Sequence, residues 1–345
     1  MDDKDKDAIL SLSYGQKVDI GTISRIFRNR NEDDGFLFRT ASDMRKRSLN
    51  DNITVSGMIA FTNYCSEDCL ICGLNRDSKV IKRYRMTDDE IIDRAGRIAG
   101  TGLHSIILTG GNDRIYDPEG LKMLLSDLHG KYPDIDYTLE LGQRPSSFYK
   151  ALLNENSRMD YGLVRYLMNE VTASDKLFRR VFPSDQTLLV RSTAAWNIKA
   201  TGIRNGAGFL VGLPSQNVEE LMDEITYLKK LKPDTITVGV FNPESTTRFA
   251  HEMSGNAYAA LYLIGILRLL FPKTHIIADR SFETVENGYM LQSVEAGADE
   301  IVYDFTPRNY ADNYRPYDIP EHMGIKSGGL SSVITSLRAA GLNVT

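Results

Sequence analysis

Three cysteines, Cys65, Cys69 and Cys72, are the only ones among 345 residues, and all fall within one eight-residue stretch. Thiolates are nucleophiles and soft metal ligands. A disulfide scaffold would spread an even number of cysteines through the chain, whereas an odd trio in one loop is the pattern of a metal or redox site. An iron–sulfur cubane is normally held by four cysteine thiolates. Three leave one iron open, and a small molecule with an amino and a carboxylate group, as in S-adenosylmethionine (SAM), can chelate it through N and O. A structural zinc site is the alternative, but it takes four protein ligands. No second cysteine pair exists, and His104, His129, His251, His275 and His322 are scattered away from the loop. A non-catalytic iron–sulfur carrier would also be expected to supply a fourth cysteine.

Other segments have residue types suited to holding a ligand. Gly110-Gly111-Asn112-Asp113 follows an apolar run; glycines let backbone approach a ligand closely, although the same letters also make an ordinary strand-to-helix turn. Glu170 ends another apolar run, where a buried carboxylate needs a cationic or donor partner. Arg191 lies fifteen residues before Gly206-Ala207-Gly208, and a guanidinium fork suits a carboxylate. Further along come Asn242 with Glu244 and Ser245, then Asp279, Arg280 and Ser281, then Asp304 with Thr306. This mix of acids, arginine and hydroxyls suits an amino-acid-like or otherwise zwitterionic small-molecule substrate, each charge meeting its counter-charge.

These residues fall at the ends of elements that alternate in type. Strands are expected near 53–61, 105–109, 137–141, 161–167, 204–211, 235–241, 274–279 and 300–304. Helices are expected from Asp88, where Thr87-Asp88-Asp89-Glu90 has the form of a capping box, at 118–129 and 146–153, and near 186–200, 217–231, 255–270 and 285–296. Repeated βα alternation implies a parallel sheet, and eight units fit an α/β fold of the closed (β/α)8 TIM-barrel type. An open doubly wound sheet is the alternative. The organisation expected is an N-terminal helical lead-in over 1–50, helical at about 7–47, and one barrel over 51–345 that includes a last helix near 330–341. Barrel enzymes place their chemistry at the C-terminal ends of strands, where the candidates above lie.

Composition excludes more than it selects. With 41 basic and 46 acidic residues the net charge is −5, and there is no basic stripe of the kind that binds nucleic acid. The acidic N-terminus lacks the apolar core of a secretory signal. The longest apolar stretch, Ala259 to Phe271, is interrupted by Arg268 and too short for a membrane span. A cytoplasmic protein is expected, with no nucleic-acid or membrane partner.

The cysteine loop, the barrel pattern and the glycine motifs together resemble the radical SAM superfamily. Cys72-Gly73-Leu74-Asn75-Arg76-Asp77 and Lys82-Arg83-Tyr84-Arg85-Met86-Thr87 are similar to the HydE maturases of [FeFe]-hydrogenase. Leu267-Arg268-Leu269-Leu270-Phe271-Pro272 leans toward the methylornithine synthases (PylB), with biotin synthases further off. The resemblance implies one [4Fe–4S] cluster on Cys65, Cys69 and Cys72 that cleaves SAM to methionine and a 5′-deoxyadenosyl radical, with ferredoxin or flavodoxin as reductant. It implies SAM contacts from Gly110, Gly111 and Asn112, where the superfamily typically has Gly-Gly-Glu, with Asp113 supplying the missing charge. It further implies a SAM carboxylate on Arg191, a role for Glu170 at the SAM and substrate cavity, and adenine against Ile71 and the strand carrying Gly208, Leu210 and Gly212. Tyr84 and Arg85 would orient the cluster loop or line the cavity. The substrate would meet Asn242, Glu244, Asp279, Arg280, Ser281 and Asp304. No cysteine remains for an auxiliary cluster, so sulfur insertion of the biotin-synthase kind is not expected.

Overall fold

The computed structural model describes residues 1–31, 35–154, 156–182, 186–285, 288–319 and 329–345. Eight strands, β1 (Asn52–Thr62), β2 (Ser105–Gly110), β3 (Asp136–Glu140), β4 (Leu163–Val171), β5 (Arg204–Val211), β6 (Thr235–Val240), β7 (His275–Ala278) and β8 (Glu300–Asp304), pair in sequence order. Every pairing is parallel, and β1 bonds to both β8 and β2, so the sheet closes into a barrel. The open doubly wound sheet is therefore overturned. A short ninth strand, β9 (Asn343–Val344), adds to the start of β1.

The lead-in consists of three helices, α1 (Asp3–Ser13), α2 (Ile20–Arg28) and α3 (Gly35–Leu49). Asp2 and Asp19 cap the first two through their side chains, as acceptors for orphan N–H groups should. The barrel helices are α4 (Asp88–Ala99), α5 (Pro118–Lys131), α6 (Ser146–Leu152), α7 (Ser157–Tyr161), α8 (Asp175–Val181), α9 (Leu188–Lys199), α10 (Val218–Leu231) and α11 (Ala257–Leu270). After them come α12 (Ser281–Val285), α13 (Tyr289–Glu295), α14 (Arg308–Ala311) and α15 (Gly329–Ala339). The capping box on α4 forms as expected, with Thr87 and Glu90 bonded reciprocally. The helix expected at 285–296 is replaced by α12 and α13; residues 286 and 287 lie outside the described residues.

Two buried charges explain how the apolar core closes. Arg268, in the otherwise apolar α11, is fully buried and donates to Asp299 at 2.5 Å and to the carbonyls of Gly297 and Thr274. Removing Asp299 would leave that guanidinium uncompensated, at about 3–5 kcal/mol. Inside the barrel, Arg165 on β4 reaches across to Glu300 on β8, and Ser56 donates to the same carboxylate. With its interior closed there by this pair, the barrel is left open toward the C-terminal ends of its strands. No helix among the described residues is long and apolar enough to cross a membrane.

Candidate active site

The C-terminal strand ends surround a cavity of about 280 Å³. Cys65, Cys69 and Cys72 all line it, on the loop that leaves β1. The loop is held by its own sequence. Arg83 donates to the carbonyls of Asn63 (2.5 Å), Leu74 (2.9 Å) and Asn75 (2.5 Å), drawing both ends of the loop onto one guanidinium. Tyr84 donates to Ala60 O at 2.8 Å, and its own N–H donates to Asn63 Oδ1 at 2.7 Å. Arg85 lies over the Tyr64 ring, 3.7 Å from its centroid, and pairs with Asp113. Tyr84 and Arg85 thus orient the loop, and Arg83 does so more directly than either.

Burial pushes all three thiols up, Cys72 to about 12 and Cys69 well above its ordinary value. Arg191 is a nearby cation that works against this for Cys65 and Cys69. Three thiols gathered in a cavity and disfavoured as thiolates suit a bound cationic group. Among the described residues no three His, Cys, Asp or Glu are placed to share one metal ion.

Gly110 and Gly111 line the cavity beside the loop. A Cβ on Gly111 would overlap the Tyr64 carbonyl and lie 2.7 Å from the Cys65 Cβ, so only glycine lets β2 pass that close. The next N–H, from Asn112, donates to Cys65 Sγ at 3.3 Å. The Asn112 amide nitrogen donates to Glu67 at 2.5 Å and to Gln143 O at 2.9 Å. Both partners only accept, which fixes the orientation of the amide and leaves Oδ1 buried without a protein partner. Asp113 is used differently from the expectation. Burial pushes its carboxyl up, but Arg85 and Thr62 outweigh this and hold it below the usual range. It is committed to Arg85 and does not line the cavity; beside the cysteine loop, Glu67 is the carboxylate that does.

Arg191 reaches the cavity from α9, donates to Asn169 O at 2.9 Å and packs over Phe182. Its Nη1 is buried without a protein partner. Ile71, Gly208 and Leu210 form an apolar wall, and Asn242, Asp279 and Arg280 face the cavity further along. An orphaned acceptor, an orphaned guanidinium nitrogen, three thiols and an apolar wall fit a cluster with an amino-acid-bearing nucleoside ligand.

Five expected residues lie off this lining. Glu170 points out of the barrel, accepting from Tyr227 Oη at 2.8 Å and Gly208 N–H at 3.2 Å, and burial pushes it up to about 7. Strand alternation is the reason: Leu167, Asn169 and Val171 face inward, so Glu170 cannot. Gly212 makes the turn after β5 at φ +89°, donating to Gln216 Oε1 at 2.6 Å. Glu244 is buried behind the cluster loop, accepting from Thr246 N–H at 2.8 Å and facing Arg315 at 3.6 Å. Ser281 Oγ accepts the Val240 N–H at 2.8 Å, extending β6. Asp304 pairs with Arg280 at 2.8 Å and reaches the cavity only through it. Conversely, Glu67, Thr109, Glu140, Asn169, Thr237, Tyr314 and Tyr317 line the cavity without having been singled out. Glu140 and Asn169 were findable as polar residues at inward strand ends. Tyr314 and Tyr317 follow β8 in an irregular segment that carries no such signal.

Comparison with known proteins agrees with this chemistry. Residues 59–228 match the radical SAM superfamily. The chain is 32% identical over 281 residues to the [FeFe] hydrogenase maturase subunit HydE of Thermotoga maritima, covering 81% of this chain and 78% of that protein. It is 23% identical to 3-methylornithine synthase of Methanosarcina acetivorans, over 89% of this chain and 84% of that one. Its fold matches the crystal structure of methylornithine synthase PylB with a TM-score of 0.81 at 21% identity, over 98% and 97% of the two chains. The maturase HydG from Carboxydothermus hydrogenoformans matches with the same TM-score at 19% identity, over 99% of this chain and 79% of that one. Enzymes of this kind use a [4Fe–4S] cluster and SAM, and act on small molecules with a reductant. The chain belongs to the radical SAM superfamily and is HydE-like.

Proposed function

We propose that this HydE-like enzyme acts on a small amino-acid-derived molecule or metallocofactor precursor bound in the cavity beyond its cysteine loop. The observation that carries the reading is the single cavity that joins three thiols, the orphaned groups of Asn112 and Arg191, and a charged far end at Asp279 and Arg280. When bound, a [4Fe–4S] cluster and SAM supply reductive cleavage to a 5′-deoxyadenosyl radical.

The residues divide the work by position. Cys65, Cys69 and Cys72 hold the cluster, and Arg83, Tyr84 and Arg85 hold the loop. Asn112 Oδ1 accepts from the SAM ammonium, and Arg191 donates to the SAM carboxylate. Gly110 and Gly111 let these groups come close. Ile71, Gly208 and Leu210 pack along the adenosyl group and exclude water from it. Asn242, Asp279 and Arg280 meet the substrate, with Asp304 fixing Arg280. Glu170, Glu244, Gly212 and Ser281 position their neighbours from behind. The lead-in over 1–50 supports a barrel over 51–345. The reductant is a ferredoxin or flavodoxin, the setting is cytoplasmic, and neither nucleic acid nor membrane is a partner.

A second reading, a methylornithine-synthase-like mutase that rearranges an amino-acid carbon skeleton, draws support from Asp279 and Arg280 both lining the far end. One experiment separates these from non-catalytic roles. The protein is reconstituted anaerobically with iron and sulfide, reduced, and given SAM alone and with candidate amino acids. Release of 5′-deoxyadenosine is expected throughout, and a rearranged amino acid only under the second reading. No 5′-deoxyadenosine under any condition contradicts both.

A further inference from the structure

The end of the cavity away from the cysteine loop holds more hydrogen-bond acceptors than the protein supplies with donors. Glu140 ends β3, half-buried, and lines the cavity. It accepts from Thr109 Oγ1 at 3.1 Å and from the Asn169 amide nitrogen. The second bond fixes the amide when Glu140 is ionised, because a carboxylate oxygen can only accept. Asn169 Oδ1 is then left buried with no partner in the protein. Thr237 on β6 is 7% exposed, and its Oγ1 also lacks a partner. Asp279 adds a second carboxylate, one oxygen of which accepts from the Ser281 N–H at 2.8 Å. All four residues line the cavity. Arg280, the guanidinium at this end, is already paired with Asp304 at 2.8 Å.

Charge and hydrogen-bonding capacity together select the ligand group. A carboxylate would face two carboxylates, and an apolar group would leave Asn169 Oδ1 and Thr237 Oγ1 unpaired. A primary ammonium brings one positive charge and three donors. We propose that Glu140, Asn169, Thr237 and Asp279 form an ammonium subsite, so the molecule processed here presents a primary ammonium to this end of the cavity. The proposal rests on reading the cavity as a radical SAM site, with the ammonium of SAM itself held at Asn112.

Glu140 is the specificity-determining residue of this subsite. Burial first, and the charge of Asp279 second, push it up to about 7; Thr109, Asn169 and, more distantly, Arg165 act the other way. Tyr314 also faces it. Near neutral pH Glu140 therefore holds a proton part of the time, which an entering ammonium displaces.

Pentylamine, pentan-1-ol and pentanoate share a chain length and differ in charge. Each is titrated by ligand-observed NMR into the cluster- and SAM-loaded protein. Pentylammonium is expected to bind roughly ten-fold more tightly than the other two at pH 8, with the preference shrinking at pH 6. Glu140→Gln is expected to remove the preference, and Thr237→Val, which leaves the acid pair intact, to weaken it. The wild-type comparison needs no variant to fold. Equal binding of the three probes, or a preference for pentanoate, overturns the proposal. Wild-type protein that cleaves SAM while treating the probes alike sinks the ammonium subsite and leaves the radical SAM reading standing. Selective pentylammonium binding without SAM cleavage supports the subsite and sinks that reading.

Discussion

The two ends of the cavity are built on different terms. At the cysteine loop the protein satisfies its own backbone: Arg83 collects three carbonyls, Asn63 and Tyr84 close the hairpin behind, and Gly111 brings β2 against Cys65. At the far end, Glu140 and Asp279 stand together, Arg280 is neutralised, and Asn169 and Thr237 keep oxygens without partners. The first end is preorganised to hold a defined group, which is where rigid positioning has most effect on rate. The second is finished only when a ligand supplies donors. On the proposed reading, one end sets how a radical is made, and the other sets which molecule meets it.

The contrast can be broken most sharply at Gly111. Gly111→Ala drives a methyl group into the Tyr64 carbonyl and the Cys65 side chain, so the loop must shift. SAM cleavage is expected to fall on the order of 100-fold, together with bound iron, measured by 5′-deoxyadenosine release and iron content. Retention of both would show that the loop is not held as tightly as described. Arg191→Ala tests the boundary between the ends. Losing a charged hydrogen bond of about 1.5–3 kcal/mol weakens SAM binding roughly 10–100-fold, read by equilibrium titration; unchanged affinity would remove Arg191 from the SAM site.

The smallest effect is expected outside the cavity. Glu224, buried beneath β4, accepts from Thr172 Oγ1 at 2.7 Å, and burial pushes it up to about 8 from an ordinary 4.5. The folded state therefore holds a proton that the unfolded state releases, so its contribution is present below pH 4.5 and lost as pH rises through about 8. Glu224→Gln is expected to raise Tm at pH 8 by a few degrees while leaving it little changed at pH 4.5. An equal shift at both values would mean that the carboxylate is not the source.

That the cysteine loop and the two glycines meet at one cavity was legible in the sequence because that end is local. The cysteines, the two glycines and Arg83 to Arg85 lie on two short segments next to β1 and β2. The eight-strand barrel was legible for a similar reason, since buried parallel strands read as short apolar runs. The far end was not. Its residues come from four strands and the segment after β8, and their meeting depends on barrel closure. Glu170 shows how small the difference is: a one-residue change of parity puts Asn169 inside the barrel and Glu170 outside. Asp113 and Glu244 show the other failure, in which an acid near the site is consumed by an arginine invisible to spacing.

The central claim is that three thiolates hold a cluster whose remaining iron is completed by SAM. Electron paramagnetic resonance of the reduced, reconstituted protein, recorded before and after SAM is added, tests it most directly. The account predicts a [4Fe–4S] signal that changes on SAM addition in the wild type and is lost in Cys69→Ala. A signal indifferent to SAM, or one that survives loss of Cys69 unaltered, would contradict it.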